Sequence, residues 1–401
     1  MLELLCMQRI LFGNGSHAEL PMIQEAKKAG YYVITTGTNK EGIGHQYADE
    51  YVYGDFSDKD FIWKLAKEKE VQGIVSACND FSYIATAYAC EKLGLPGHDS
   101  YEVSQIIHHK DQFRKMTRSL GIRTPLVCEC YDIDGIDEIV KNIKYPVLVK
   151  PVDLTGGKGV KVCHNDEEVR IAAKDAFSLT RQDHIIIEEF IFGSNHGASF
   201  LIKDQKVVYG IFDDEQYGLN KYLVLGACSP SKDTKEETKR QLIHDINLIA
   251  DHLKLTDGLF HTQFIVTNKD EAVIIDPCRR APGDLYVLLS KYVTGVDYPK
   301  EIFNSEIGKG IDTSYSIENN IVARECIMAD KAGVIDSIYI DEFVKKHIVH
   351  QLIWAKEGDR VDDIMKYKAG ILIMKFDTLA DMDYVLDHYS SLVKIVFKEN
   401  L

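Results

Sequence analysis

The stretch from Tyr145 to Val160, YPVLVKPVDLTGGKGV, restricts the fold more than any other part of the chain. Val147, Leu148 and Val149 form an apolar run that ends in Lys150, and Gly156, Gly157 and Gly159 follow within a few residues. Apolar, β-branched runs bounded by glycine clusters read as strand, loop, strand. A buried strand that ends in a lysine beside a loop of free backbone N–H groups calls for an anion, and a polyphosphate supplies enough acceptors for all of them. No Gly-Lys-Ser/Thr opens a helix after the loop, so it is not a Walker sequence. An ordinary hairpin with a surface lysine is the alternative, and only the flanking chain separates the two.

The first hundred residues alternate strand and helix patterns. Arg9–Phe12 leads into Gly13-Asn14-Gly15-Ser16, a helical stretch places Leu20, Ile23 and Ala26 on one face, and Tyr31–Thr36 reads as the next strand. This is a βαβ unit with a parallel sheet. A helix over 58–69, a strand over 73–76 and a helix from Asn79-Asp80 to near Leu93 continue the alternation. A dinucleotide fingerprint at Gly13 is incomplete, because the third glycine is missing and no acidic residue closes the following strand. The turn reads instead as carboxylate-binding or structural.

Helix signals resume through His108–Arg114 and end at Gly121. Beyond the glycine loop, Ile185-Ile186-Ile187 meets Glu188-Glu189-Phe190-Ile191, where a polar pair after a buried strand suits a hinge whose backbone reads an adenine edge. Two hairpin strands over 198–212 precede a long helix over 235–253 with Leu242, Ile246 and Ile249 on one face. The segment Asp276-Pro277-Cys278-Arg279-Arg280-Ala281-Pro282-Gly283-Asp284 then breaks off a strand. Acid, soft ligand and paired arginines at a strand end suit a metal and a phosphate.

A formal net charge of −15 argues against a nucleic-acid backbone or an anionic membrane surface as partner. The nine cysteines show no CxxC pair, which points to reduced thiols in the cytoplasm. No segment of the sequence approaches the ~20 apolar residues of a membrane span.

In this order the pieces resemble the ATP-grasp superfamily, in the branch of biotin carboxylase, the large subunit of carbamoyl-phosphate synthetase and phosphoribosylglycinamide synthetase. The resemblance spans nearly the whole chain. It implies an α/β protein with the ATP-grasp fold: a Rossmann-like amino-terminal domain over 1–105, a helical linker over 106–123, a small lid subdomain over 124–188, an α+β catalytic core over 189–310, and a carboxy-terminal α/β subdomain over 311–401. Lys110 and Lys150 match the two ATP-binding lysines, and Gly156, Gly157, Lys158 and Gly159 match the lid loop over the phosphates. Glu188, Glu189, Phe190 and Ile191 match the adenine hinge, and Asn195, with His196 beside it, stands where a ribose-facing acid is expected.

The chain departs from the family pattern at the metal strands. Where the family places Glu and then Glu-x-Asn, it carries Gln263, Asp276 and Cys278. An amide oxygen and a thiol are poorer Mg²⁺ ligands than carboxylates, because the hard ion favours charged oxygen. Asp276 is the main ligand on this reading, and Gln263→Glu is expected to strengthen ion binding. The resemblance gives Arg280 to the transferring phosphoryl group and Asp284 to proton acceptance from an amine, with Arg279 keeping Asp284 ionised. Residues beyond Tyr298 show no separate chemistry and are assigned to the acceptor pocket or an oligomer interface, such as that of a homodimer.

The expected activity is an ATP-dependent ligase with ATP and Mg²⁺ (or Mn²⁺) that activates a small-molecule carboxylate as an acyl phosphate and joins it to an amine or other nucleophile. Two rivals stand beside it. One is a non-catalytic ATP-binding sensor or subunit with a degenerate metal site. The other is an NAD-linked oxidoreductase using Gly13–Ser16.

Overall fold

Residues 7–154, 157–218, 221 and 223–398 are described in a computed structural model of the chain. Gly156, one of the three loop glycines, lies outside the described residues.

Strands Arg9–Phe12, Tyr32–Gly37, Glu50–Tyr53 and Gly73–Val75 form a parallel sheet in which Arg9–Phe12 lies between Tyr32–Gly37 and Gly73–Val75. Helices cover both faces, so Ile10, Leu11, Phe12, Val33 and Ile34 are all buried and the strands read as unbroken apolar runs. Asp58 caps the helix Lys59–Glu68 and Asn79 caps Asp80–Leu93, each accepting from backbone N–H groups of the first turn. The glycine turn at Gly13 is structural. Ser16 donates to Glu19 through both its N–H and its hydroxyl, and the Cys78 N–H donates to the other Glu19 oxygen, so an internal carboxylate occupies the donors that a pyrophosphate would need.

A second sheet, antiparallel, runs in the order Val127–Cys130, Ile185–Glu189, Val147–Pro151, Lys161–Cys163. Its two-residue period divides the work of the stretch around Lys150. Val147 and Val149 face inward and pack with Val169, Ala172 and Ala176 of the helix Asp166–Leu179. Leu148 and Lys150 face the other way, together with Glu188, which pairs in register with Leu148.

The third sheet has eight strands, in the order Ala272–Cys278, Gly258–Val266, Ser194–Lys203, Lys206–Tyr217, Val224–Ser229, Ile321–Met328, Lys368–Phe376, Ile348–Ile353. The helix Glu236–Leu253 lays Leu242, Ile246 and Ile249 against Phe200, Phe260 and Phe264 of this sheet. Ile321–Met328 hydrogen-bonds directly to Val224–Ser229, so the sheet runs unbroken across residue 311, where the sequence suggests a boundary. A three-stranded sheet, Arg360–Val361, Gly333–Ile340, Val393–Phe397, and the helix Leu379–Asp387 complete the carboxy-terminal part. Among the described residues no helix is long and apolar enough to cross a membrane.

Candidate active site

A cavity of about 500 Å³ opens between the second sheet and the edge of the eight-stranded sheet. Its apolar walls, Leu148, Val160, Val162, Ile191, Ile265 and Ile275, form a slot suited to a planar ring. The polar groups Lys110, Lys150, Asn195, Gln263 and Asp276 lie along it. The ladder of Ile185–Glu189 stops at Glu189, and Phe190–Gly193 cross the wall as irregular chain.

Lys110 and Lys150 are each held by a carboxylate. Lys110 is the first residue of the helix Lys110–Ser119, at the positive end of the helix dipole, an unfavourable place for a cation. Its ammonium is compensated by Asp276 at 3.3 Å and by the Leu154 carbonyl at 2.9 Å. Lys150 donates to Glu188, and Arg114 binds the other side of that carboxylate at 2.9 Å. Glu188 and Arg114 are both fully buried. Burial would raise the Glu188 carboxyl, but the charges of Lys150 and Arg114 override it and hold the group at about 2. The Glu188 side chain is therefore a buried counter-ion that aims Lys150, while the residue itself stands in the wall of the cavity with Glu189, Phe190 and Ile191. Glu189 likewise spends its carboxylate on Arg123, at 2.8 and 3.1 Å, and on the Leu126 N–H, leaving the Phe190 and Ile191 backbone at the cavity wall.

Asn195 lines the cavity, but His196 does not. Neighbouring strand residues point to opposite faces, and His196 is buried between Asp214 at 2.9 Å and Ser194 at 2.6 Å. Gly157 reaches the cavity while Lys158 is exposed outside it. Gly157 and Gly159 take positive φ values of 70° and 72°, which a residue with a Cβ adopts only at a cost.

A second cavity, about 180 Å³, adjoins the first, and Gln263 and Asp276 belong to the walls of both. These two residues face each other in register across the strands Gly258–Val266 and Ala272–Cys278. Cys278, expected as a third ligand, is a poor one. Burial pushes its thiol up to about 12, and its Sγ donates to the Arg280 carbonyl at 3.6 Å. Among the described residues no three His, Cys, Asp or Glu side chains converge on a common point.

Adjacent arginines part company here. Arg280 lines the second cavity, with its Nε on Asp80 at 2.8 Å. Arg279 turns away into the interior, bound to Asp99 at 2.7 Å and to the Thr256 carbonyl at 2.7 Å. Arg279 is thus a structural tie and does not hold Asp284. The partners of Asp284 are Lys368, His17 Nε2 at 3.3 Å, and Arg324 at 4.0 Å. Burial opposes ionisation, but the His17 hydrogen bond and the charges of Lys368 and Arg324 hold the carboxyl far below the usual carboxylate range. Its three partners make Asp284 an anchor of this turn, and proton acceptance from an amine would have to work against them. Asp284 and Leu285 both have positive φ, 54° and 58°, so the turn that aims this anchor is strained.

Arg324, Lys368, His17 and Glu215 were not legible as site residues. Arg324 is 2% exposed, lines the second cavity, and its Nε has no hydrogen-bond partner among the described residues. A buried guanidinium with an unused donor calls for an anion. The available signal was an arginine inside the apolar strand Ile321–Met328, IVARECIM, where a charge has no reason to sit unless it meets one. The carboxy-terminal part therefore does contribute to the site, through Arg324 and Lys368.

Comparison with known proteins agrees with this geometry. The family model described as carbamoyl-phosphate synthase L chain, ATP binding domain, matches residues 109–313. Among solved structures, the phosphoribosylglycinamide synthetase of Anaerococcus prevotii is 22% identical, with 98% of this chain and 100% of that chain covered and a TM-score of 0.79. The L-amino acid ligase of Bacillus licheniformis is 17% identical over 98% and 99%, with a TM-score of 0.81. The biotin carboxylase domain of the Hydrogenobacter thermophilus 2-oxoglutarate carboxylase, in complex with MgADP and bicarbonate, is 19% identical over 97% and 90%, with a TM-score of 0.77. At these identities the likeness establishes the fold.

Proposed function

Because the chain belongs to the family of the carbamoyl-phosphate synthase L chain ATP-binding domain, a family of ATP-grasp ligases, we propose that it activates a small carboxylate with ATP and joins it to an amine. The observation that carries this reading is the wall shared by the two cavities. A nucleotide whose base lies in the apolar slot and whose phosphates run along Lys150 and Lys110 ends at Gln263 and Asp276, where the second cavity opens with Arg280 and Arg324.

In the first step a carboxylate oxygen of the substrate attacks the γ-phosphorus. The new O–P bond forms as the bond to ADP breaks, giving an acyl phosphate. In the second, the amine nitrogen attacks the acyl carbon, phosphate leaves with its oxygen, and the amine gives up a proton to water or to the departing phosphate. Lys110 and Lys150 offset charge on the phosphates, while Arg324 and Arg280 fix the carboxylate as a planar anion. The residues present fit a hard divalent ion modestly: Asp276 offers a carboxylate and Gln263 an amide oxygen, and phosphate oxygens commonly complete such a shell. Mg²⁺ held there would neutralise charge on the triphosphate.

A screen of ADP release over paired pools of amino acids, small carboxylates and amines tests the proposal. Release that requires both a carboxylate and an amine is expected. The single carboxylate at the ion position favours one rival, a nucleotide sensor, and thermal stabilisation by ATP without ADP release over the whole panel would support that rival instead.

A further inference from the structure

Gln263 is the residue that most weakens the ion site by its chemistry, yet its surroundings select one of its two ends. Its amide nitrogen donates to both oxygens of Glu215, at 2.7 and 3.0 Å, from the strand Lys206–Tyr217 of the same sheet. An ionised carboxylate only accepts hydrogen bonds, so it can meet an amide through the nitrogen alone. The amide oxygen is then left for the cavity wall, and among the described residues no protein group donates to it. Glu215 forms no salt bridge with a cation among those residues, and its remaining donor is the Tyr217 hydroxyl. A half-buried carboxylate with no salt-bridge partner among the described residues, bonded to the side chain that faces Asp276, needs a reason to be there.

We propose that Glu215 is a positioning residue for the divalent ion: by clamping the Gln263 nitrogen it turns the amide oxygen outward, beside the Asp276 carboxylate, and so makes a glutamine serve as an oxygen ligand. This rests on the ligase reading in so far as the ion is the one that accompanies ATP. Outer groups that orient metal ligands typically contribute 10- to 100-fold in metal affinity. The assignment also changes what is expected of Gln263→Glu. Alone, that substitution sets two carboxylates against each other within hydrogen-bond distance, where one must take up a proton, so it does not simply restore a better ligand.

The test is Mn²⁺ binding by electron paramagnetic resonance, with and without saturating ADP, beside ADP binding measured calorimetrically in EDTA. Glu215→Gln keeps the shape but lets two amides meet in either sense, and it should weaken Mn²⁺ binding about tenfold. Glu215→Leu, which leaves the amide nothing to hold, should weaken it at least as much. The exchange Glu215→Gln with Gln263→Glu restores a donor facing a carboxylate and should return Mn²⁺ affinity to the wild-type range. ADP binding in EDTA should be unchanged in the two Glu215 single variants, which leave the wall of the larger cavity intact. Unaltered Mn²⁺ affinity in Glu215→Gln, or an exchanged variant no better than that single one, overturns the proposal. If the wild type binds ADP but no Mn²⁺, the proposal falls while the nucleotide reading stands, and if it binds neither, both fall.

Discussion

The two cavities that meet at Gln263 and Asp276 are built in opposite ways. The larger one draws most of its wall from two short stretches, 148–162 and 188–195, the first supplying alternate residues of a strand pair and the second a strand end with the irregular chain after it. The smaller one collects Asp80, Glu215, Arg280, Asp284 and Arg324 from separate elements, and Lys368 and His17 reach it only through Asp284. Their charges differ in the same sense. In the larger cavity Lys110 and Lys150 already have buried or half-buried carboxylate partners, whereas in the smaller Arg324 keeps an unused donor. A local hairpin can thus present a ready set of cations, while a site for a second substrate is assembled by packing distant elements together.

The substitution that bears hardest on this contrast is Glu188→Gln. It leaves Lys150 and Arg114 without their common counter-charge in the interior, and breaking such a pair costs about 3–5 kcal/mol. Urea unfolding should show that loss at pH 7, and nucleotide binding should weaken with it. Wild-type stability in this variant would mean that the larger cavity does not depend on its buried carboxylate.

The same group sets a pH dependence. Its carboxyl is held at about 2, below the ordinary value of 4.5, so its contribution to stability is complete above about 4.5 and is lost as the pH falls from there through about 2. Unfolding midpoints between pH 5 and pH 2 should fall more steeply in the wild type than in Glu188→Gln.

Arg324→Ala sharpens the division between the cavities. Losing one charged donor to a developing anion typically lowers turnover by about 10²–10³-fold. ADP affinity should stay within about twofold of wild type, because Arg324 touches only the smaller cavity. A matching loss of ADP affinity would erase the distinction.

The smallest effect is expected from Glu306→Gln, a control that lines neither cavity. Glu306 is buried, accepting from the Ser76 N–H at 2.6 Å and its hydroxyl at 3.1 Å, and burial lifts its carboxyl to about 8. A raised acid stabilises the folded state least at high pH, so wild-type stability should decline as the pH rises from about 4.5 through 8. The amide variant should match the wild type at pH 5 and exceed it by about 1 kcal/mol at pH 8.5, the gain being held down by the loss of one carboxylate acceptor.

The positions of Lys110, Lys150, Gly157, Gly159 and Asp276 were legible because each is fixed by local rules: a helix start, a strand end, a turn that needs positive φ, a strand that alternates faces. The βαβ opening and the long helix packing by Leu242, Ile246 and Ile249 were legible for the same reason. Periodicity also says that His196 and Asn195 point apart, yet it cannot say which of the two meets the cavity.

Charge partners were not legible. Arg279 and Arg280 are neighbours of identical chemistry, and the fold sends one to Asp99 in the interior and the other to Asp80 at the cavity. Likewise Gln263 reads as a weakened ligand until a strand two places away in the sheet supplies Glu215, and Arg324 reads as an oddity in an apolar strand until the turn at Asp284 comes to lie against it. The sequence by itself determined which faces of which elements are apolar and where the backbone must bend, since those depend on residues a few positions apart. Only the tertiary structure decided which ions are paired and which are left to receive a ligand, because that depends on residues as far as 267 positions apart that sheet register and helix packing bring within hydrogen-bond reach.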